Sequence, residues 1–177
     1  MNYHFDFCFL HFDLFIMSLE KYFKKREKTK TPEPFEISKV GKEVFVVQEH
    51  HARRLHWDFR LAKEEKSASG RRWVLKSWAI PKAPPKTSGL KRLAMQTEDH
   101  PYLYKDFEGI IPEGEYGAGK VSIWDRGKYE KIQWSQDAIK IKLFGKKLKD
   151  IYILVKPKGK FNKKGWLFFK KSRHSLR

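Results

Sequence analysis

Residues 50–61 have the sequence HHARRLHWDFRL, and the second half of this stretch alternates between polar and apolar side chains. His56, Asp58 and Arg60 share one parity, and apolar residues occupy the positions between them. Successive side chains of a strand point to opposite faces, so the pattern predicts a strand whose apolar face joins a core. The other face then carries an imidazole, a carboxylate and a guanidinium in a row.

That polar face predicts a metal site beside a phosphate site. His50 shares the parity of His56 and Asp58, which favours it over His51 as the third ligand. Two imidazoles and a carboxylate suit Mn, Fe, Co, Ni or Zn, and the residue types do not choose among them. Arg60 lies about 6–7 Å beyond Asp58 on the same face, where a guanidinium can hold a phosphoryl oxygen. The alternative is an ordinary polar sheet face on which Arg60 pairs with Asp58.

Composition predicts one folded domain and a polyanionic partner. The chain has 177 residues, of which 40% are hydrophobic and 15% aromatic, enough for a real core. Its formal net charge of +18 favours nucleic acid as a partner, although a lysine-rich surface also serves solubility. The single cysteine, Cys8, excludes an internal disulfide and a multi-cysteine zinc site, and predicts a reducing, cytoplasmic setting.

The strand signals of the whole chain predict a mainly β fold. Short runs rich in aromatic and β-branched residues follow one another from Val44 onward, without a long amphipathic helix or an internal repeat. We expect a small closed or nearly closed β-barrel of about eight strands with one or two short helices. The predicted strands are 44–48, 55–61, 72–80, 94–97, 120–125, 129–134, 139–144, 152–157 and 165–170, with turns at 62–70, 81–89, 110–119 and 126–127.

The ends of the chain differ in composition from this domain. Residues 1–17 are hydrophobic and aromatic, too short to span a bilayer and without the basic start of a signal peptide. We interpret them as an extension outside the domain, with Met17 as an alternative start, and Ser18 as the N-cap of a short helix. The predicted domain is 18–170, divided into an N-terminal arm (18–39) and the barrel (40–170), and 171–177 is a basic tail.

The segment 97–104, TEDHPYLY, supplies a second candidate histidine. His100 precedes a proline, which predicts a loop at the end of a strand. A loop histidine can protonate a leaving oxygen or hydrogen-bond a phosphate, with Glu98 or Asp99 orienting it and Tyr104 donating a further hydrogen bond. Two more basic residues can add cationic contacts: Lys82 and Arg92.

Two further segments are less specific. The glycine-rich 110–119 lacks the Lys-Ser/Thr ending of a P-loop, so we interpret it as turns. From 140 to 177 Asp150 is the only acidic residue, and lysines alternate with apolar residues. This pattern predicts strands whose cationic outer face can follow a nucleic-acid backbone.

Taken together, the motifs resemble the 3′-phosphoesterase family, which comprises the N-terminal module of bacterial ATP-dependent DNA ligase D and stand-alone proteins. The similar segments are 48–61, 75–82, 92–94, 97–104, 107–119 and 124–125, and the resemblance covers roughly residues 20–170. Because no polymerase or ligase sequence follows, the chain is similar to the stand-alone form.

The resemblance implies a hydrolase that removes a 3′-terminal ribonucleoside from a primer-template and converts the resulting 3′-phosphate to a 3′-OH, in end joining or related repair. It implies Mn²⁺ as the metal, with Co²⁺ or Zn²⁺ also fitting the site. The implied partners are DNA or DNA/RNA 3′ ends and a separate DNA ligase and polymerase, with no membrane, for a monomeric protein.

Residue roles follow from the resemblance position by position. His50, His56 and Asp58 match metal ligands. The phosphate-contacting or catalytic positions are Arg60, His100 and Tyr104, and the supporting positions are Gln48, Lys82, Arg92 and Glu98. In the arm, Arg26 and Glu33 match functional residues, and Glu27 stands where the family usually has an aspartate.

Two other functions fit parts of the sequence. His56-x-Asp58 with a distant His100 imitates the two-histidine, one-carboxylate triad of non-haem iron oxygenases, which 2-oxoglutarate turnover would reveal. A non-catalytic nucleic-acid-binding barrel would bind in the presence of EDTA and process no ends.

Overall fold

The computed structural model describes residues 13–67, 70–158 and 164–172, and within them the chain is mainly β. The elements are α1 (Asp13–Lys24), β1 (Val44–His51), β2 (Leu55–Ser67), β3 (Gly70–Ile80), β4 (Lys91–Gln96), β5 (His100–Pro101), a 3-10 helix (Tyr102–Asp106), β6 (Gly109–Ile111), β7 (Gly119–Trp134), β8 (Ala138–Phe144), β9 (Lys149–Val155) and β10 (Gly165–Lys170). No helix among these residues is long and apolar enough to cross a membrane. Residues 1–12 of the predicted extension and 173–177 of the predicted tail lie outside the described part.

Eight of the described strands form a nearly closed ring. Their order is β1-β2-β3-β4-β10-β9-β8-β7, and β7 pairs back onto β1. The pairings around the ring are antiparallel, while β5 adds to β3 and β6 adds to β7 beside it. The prediction of a mainly β fold with about eight strands in a closed or nearly closed arrangement is therefore confirmed.

The interior of the ring is filled by the side chains of alternate residues along each strand. On β2, Phe59 and Leu61 are fully buried in a cluster to which every strand of the ring contributes. Phe59 stacks on Phe168 of β10 with ring centroids 4.7 Å apart. Because side chains alternate along a strand, Asp58 and Arg60 lie on the outer face of the ring.

The outer face over β2 and β3 is covered by α1, the arm that follows it, and the 3-10 helix. Tyr22 at the end of α1 packs with Leu75 and Tyr104 in a second buried cluster. The Tyr22 hydroxyl donates to the Pro34 carbonyl at 2.9 Å, which ties the arm to the helix. This cover buries the polar residues of β2 that would otherwise face solvent.

The predicted start of the helix is wrong. α1 begins at Asp13, five residues before the expected N-cap Ser18. The apolar residues 14–17 continue the helix upstream, and a serine costs little inside a helix.

The predicted turn at 62–70 is also wrong, because β2 continues to Ser67 and pairs with β3 as far as Gly70. Its polar residues belong to a long hairpin. Glu65 faces Arg72 across the two strands, and its carboxylate accepts hydrogen bonds from Arg72 at 2.9 Å and Lys76 at 2.6 Å. Cross-strand charge pairs of this kind stabilise a strand whose composition is typical of a loop.

No turn forms at Arg126-Gly127, where β7 runs unbroken. A Cβ atom on Gly127 would clash with the Phe144 carbonyl oxygen, so this glycine allows a close approach of two strands. The hairpin to β8 turns later, where the Ser135 N–H donates to the Ala138 carbonyl at 2.8 Å.

Asp125 fixes the next turn of this sheet, and its removal is expected to destabilise the protein. The buried carboxylate accepts backbone N–H bonds from Lys146, Lys147 and Leu148 at 2.9, 3.1 and 2.7 Å. Asp125→Ala leaves three donors without this acceptor, so we expect the free energy of unfolding to fall by about 3 kcal/mol in urea titrations.

Asp137→Ala is the control for this prediction. Asp137 is exposed and pairs with Lys156 at 3.1 Å, so its loss should cost less than about 1 kcal/mol. Equal destabilisation by the two substitutions would contradict the assignment of Asp125.

Candidate active site

The antiparallel pairing of β1 and β2 brings the three predicted metal ligands together. His50 is the register partner of His56, and Asp58 follows two residues later on β2. One ligand atom of each side chain lies within 4.8 Å of the other two. His51 takes the opposite parity, is exposed, and has Nε2 2.7 Å from the Glu49 carboxylate. The structure thus assembles the predicted set with His50 and leaves His51 outside it.

Backbone carbonyls orient both imidazoles of this triad. His50 Nε2 lies 2.8 Å from the Gly117 carbonyl oxygen, and His56 Nδ1 lies 2.8 Å from that of Arg54. A carbonyl only accepts, so these nitrogens carry the protons, and His50 Nδ1 and His56 Nε2 keep their lone pairs.

The remaining lone pairs fit a divalent transition metal. The free nitrogens lie 3.6 Å (His50) and 3.8 Å (His56) from the two carboxylate oxygens of Asp58. These separations exceed hydrogen-bond length and suit ligand atoms that each lie about 2 Å from a shared ion. Imidazoles held through their second nitrogen are the usual arrangement around a bound metal.

Arg60 lies beside the triad with its guanidinium held from three sides. Nε donates to Gln48 at 2.8 Å, Nη1 to the Ser77 hydroxyl at 2.9 Å, and Nη2 to Asp58 at 3.1 Å. Each terminal nitrogen uses one of its two N–H groups in these bonds, which leaves one on each for a ligand. The predicted alternative, a pair with Asp58, therefore coexists with a capacity to bind phosphate.

The contact between Arg60 and Asp58 also favours the ionised form of Asp58. Burial alone would raise the pKa of this carboxyl, but the positive charge of the Arg60 guanidinium opposes burial, and the pKa lies below its usual value. Asp58 therefore stays ionised at neutral pH, as a metal ligand must.

Gln48 supports Arg60 from within the fold. It is fully buried, accepts from Arg60, and donates from Nε2 to the carbonyls of Tyr104 and Phe107 at 3.0 and 2.8 Å. Its amide thus joins β1 to the 3-10 helix. The structure gives Gln48 a positioning role.

His100 reaches the site from β5, which pairs with β3. Its Nδ1 lies 3.0 Å from the Glu98 carbonyl oxygen, so Nδ1 carries the proton and Nε2 is the basic nitrogen. Burial, followed by the positive charges of Arg60 and Arg26, lowers the pKa of His100 well below its usual value. In the free protein His100 is therefore neutral at neutral pH, and its Nε2 can accept a proton. Its predicted role as the acid for a leaving oxygen stays a prediction.

This neutral state predicts a pH dependence of stability. The unfolded chain takes up a proton on His100 near pH 6.5, whereas the folded chain does so only at much lower pH, so stability falls as pH drops below 6.5. We expect the free energy of unfolding of the metal-free protein, measured in urea, to fall between pH 6.5 and pH 5.5. The fall should be about 1 kcal/mol larger for wild type than for His100→Gln. Identical losses for the two proteins would contradict a neutral, buried His100.

The N-terminal arm closes the site through Glu33. This buried carboxylate accepts hydrogen bonds from Arg26 Nε at 2.8 Å, Tyr104 Oη at 3.0 Å and Thr31 Oγ1 at 2.8 Å. Burial raises the pKa of Tyr104 well above its usual value, so the phenol keeps its proton and donates it to Glu33. Glu27, by contrast, is largely exposed and pairs with Lys30 on the surface.

A cleft of about 320 Å³ results from these contacts. Its walls include the metal triad, Arg60, His100, Tyr104, Arg26 and Glu98. Glu98 is tied to the arm by Arg26 at 3.3 Å and Lys25 at 3.0 Å. A buried arginine beside three candidate metal ligands is an arrangement suited to phosphoryl chemistry.

The comparison with known families agrees with the resemblance of the motifs. Residues 48–156 match the DNA ligase D 3′-phosphoesterase domain. The chain belongs to this family. The curated relatives that this chain matches are LigD proteins, whose names describe them as multifunctional and as acting in non-homologous end joining.

Three of these relatives come from different bacteria. The chain is 43% identical over 148 residues to LigD of Mycobacterium tuberculosis, 44% identical over 156 residues to LigD of Mycolicibacterium smegmatis, and 38% identical over 161 residues to LigD of Pseudomonas aeruginosa. The matches cover 80%, 80% and 86% of this chain but 18%, 19% and 18% of the relatives. The chain thus spans less than a fifth of the length of the LigD proteins it matches.

Two predicted contacts of this phosphoesterase-family site lie elsewhere. Lys82 is exposed after β3, and Arg92 on β4 donates to the Ala83 carbonyl at 3.2 Å. Neither is among the described residues that line the cleft. Their expected phosphate contacts remain predictions.

Sequence reasoning missed the part of the site that comes from the glycine-rich segment. Gly117 has a φ of +83°, and its carbonyl orients His50. Tyr116 beside it lines the cleft and accepts a hydrogen bond from Lys25 at 2.9 Å. The signal was the run of glycines itself, which exposes backbone carbonyls as well as making turns.

Proposed function

We propose that this chain is a metal-dependent phosphoesterase that heals 3′ ends of DNA. It removes a 3′-terminal ribonucleoside and then hydrolyses the 3′-phosphate to a 3′-OH, with Mn²⁺ as the metal. The observation that carries the proposal is the oriented His50, His56 and Asp58 triad beside the two remaining N–H groups of Arg60. The family match and the names of its LigD relatives support a role in end joining.

The side chains divide the work on the phosphate. The metal, held by His50, His56 and Asp58, would polarise the phosphate and lower the pKa of water. Arg60 grips two phosphate oxygens through its parallel N–H groups and stabilises the charge that develops on them. Because Gln48 and Ser77 fix the guanidinium beforehand, this contact needs no rearrangement.

His100 is the residue that transfers the proton. As a neutral imidazole it accepts the proton of the attacking water, whose oxygen forms the new bond to phosphorus while the bond to the leaving oxygen breaks. The imidazolium that forms can then donate to the leaving oxygen, which restores the starting state. The hydrogen bond between Glu33 and Tyr104 keeps the N-terminal arm over His100, and the arm excludes bulk water.

A labelled primer-template that ends in one ribonucleotide tests the proposal. With Mn²⁺ we expect a strand shortened by one nucleoside and bearing a 3′-phosphate, followed by the 3′-OH product, and with EDTA neither. Unchanged DNA in the presence of Mn²⁺ would refute the activity. Turnover of 2-oxoglutarate would indicate an oxygenase instead, and EDTA-resistant binding without processing would indicate a binding module.

The physiological setting is part of the proposal. We expect a monomer that acts on DNA or DNA/RNA primer-template ends together with a DNA ligase and a polymerase. The positive charge of the chain and the end-joining names of its relatives support such partners.

A further inference from the structure

A second groove of about 490 Å³ opens beside the active-site cleft. The two spaces share Thr97, Glu98 and Tyr116 as lining residues, so they are contiguous. Lys21 of α1 and Lys164, which precedes β10, line the second groove but not the cleft. A ligand held at the metal triad can therefore extend into this groove without leaving the protein surface.

The groove is positively charged. Four lysines line it, namely Lys21, Lys25, Lys76 and Lys164, against the two carboxylates Glu98 and Asp99. Lys76 pairs with Asp99 at 2.6 Å and Lys25 with Glu98 at 3.0 Å. Lys21 and Lys164 are both exposed, and with them the lysines that line the groove outnumber its carboxylates.

Tyr116 lies where the cleft and the groove meet. Its side chain is 48% exposed, and its ring is flanked by Lys25 at 4.2 Å and Arg26 at 5.1 Å. The hydrogen bond from Lys25 to its hydroxyl holds the ring in place. An exposed aromatic ring fixed beside a basic groove is the usual platform on which a nucleobase stacks.

Charge decides which part of the substrate the groove holds. The ribonucleoside that leaves carries no phosphate, whereas the strand that remains carries one negative charge per nucleotide. Lysines would gain little from the leaving nucleoside and much from the strand. We infer that the groove binds the primer strand on the 5′ side of the scissile phosphate, with Tyr116 stacking on an adjacent base. The inference rests on the proposed function.

The double substitution Lys21→Ala/Lys164→Ala tests the groove. For an oligonucleotide with a 3′-phosphate we expect kcat/KM to fall by about 10-fold and the salt dependence to flatten by about one unit of slope per lost contact. Hydrolysis of a deoxynucleoside 3′-monophosphate, which has no strand to fill the groove, should stay at the wild-type rate.

Lys142→Ala/Lys149→Ala is the matched variant. It removes the same charge from the basic β8–β9 surface, which lies across the ring from β2 and β3 and was predicted to follow a nucleic-acid backbone. We expect little effect on either substrate. A larger loss with this pair than with Lys21 and Lys164 would move the strand to the other face and overturn the inference.

Tyr116→Phe and Tyr116→Leu test the stacking. Phenylalanine keeps the ring and should retain more oligonucleotide activity than leucine, and equal losses would refute the platform. If wild type hydrolyses no 3′-phosphate, the proposed function fails, and fluorescence anisotropy with a primer-template then decides the groove. Unchanged affinity of the Lys21/Lys164 variant in that titration overturns it.

Discussion

His56→Ala is expected to lower kcat/KM for Mn-dependent hydrolysis of an oligonucleotide 3′-phosphate by about 1000-fold or more. The imidazole is one of the three proposed metal ligands, and Lewis-acid stabilisation by a bound metal amounts to several kcal/mol. The Arg54 carbonyl fixes the tautomer of His56, so the Nε2 lone pair of His56 has a set position. A water molecule that fills the space in the alanine variant cannot easily take that position.

The chain offers a close control in His51→Ala. His51 lies on β1 next to His50, is exposed and contacts Glu49, so its removal changes the histidine content without touching the triad. We expect activity within about two-fold of wild type, as for surface substitutions remote from a site.

Metal binding separates this explanation from a loss of folding. Titration calorimetry of the metal-free proteins with Mn²⁺ should show binding by wild type and by His51→Ala, and little by His56→Ala. Circular dichroism should be the same for all three proteins. Full Mn-dependent activity of His56→Ala would refute the metal assignment, and equal losses in both variants would show that the histidines act through stability.

The metal triad could be predicted from sequence because its geometry is local. His56, Asp58 and Arg60 share a strand face by alternation alone, and His50 joins them because a short connection pairs β1 with β2. Local sequence patterns gave a wrong prediction at 62–70, where charged residues suggested a turn. The ion pairs of Glu65 that keep this hairpin extended join partners that are 7 and 11 positions apart, and no local pattern shows them.

The rest of the site depends on contacts that sequence spacing does not contain. Glu33 meets Tyr104 across 71 positions, and His50 meets Gly117 across 67. The neutral state of His100 follows from its burial against Tyr22 of α1 and from the charges of Arg60 and Arg26, and neither cause is visible in the motif itself. Family resemblance supplied Gln48 and Glu33 as important positions, and the structure supplied their hydrogen-bonding partners.

Arg60→Lys is expected to reduce kcat by about 100- to 1000-fold while metal affinity stays within a few-fold of wild type. The guanidinium satisfies Gln48, Ser77 and Asp58 and still presents an N–H on each terminal nitrogen. A lysine has one nitrogen with three donors, so it cannot keep these three contacts and also hold two phosphate oxygens. Loss of one aligned donor to a developing oxyanion typically costs about 100- to 1000-fold in kcat.

Arg71→Lys supplies the control, since Arg71 is 68% exposed and lies 3.6 Å from Glu64 on the surface of the hairpin. It should leave kcat unchanged in single-turnover assays with saturating Mn²⁺. Lysine at position 60 keeps a positive charge near Asp58, so the carboxylate stays ionised and the metal still binds. Wild-type kcat in Arg60→Lys would therefore mean that charge alone assists the reaction, and that the planar, two-point contact with the phosphate has no part in it.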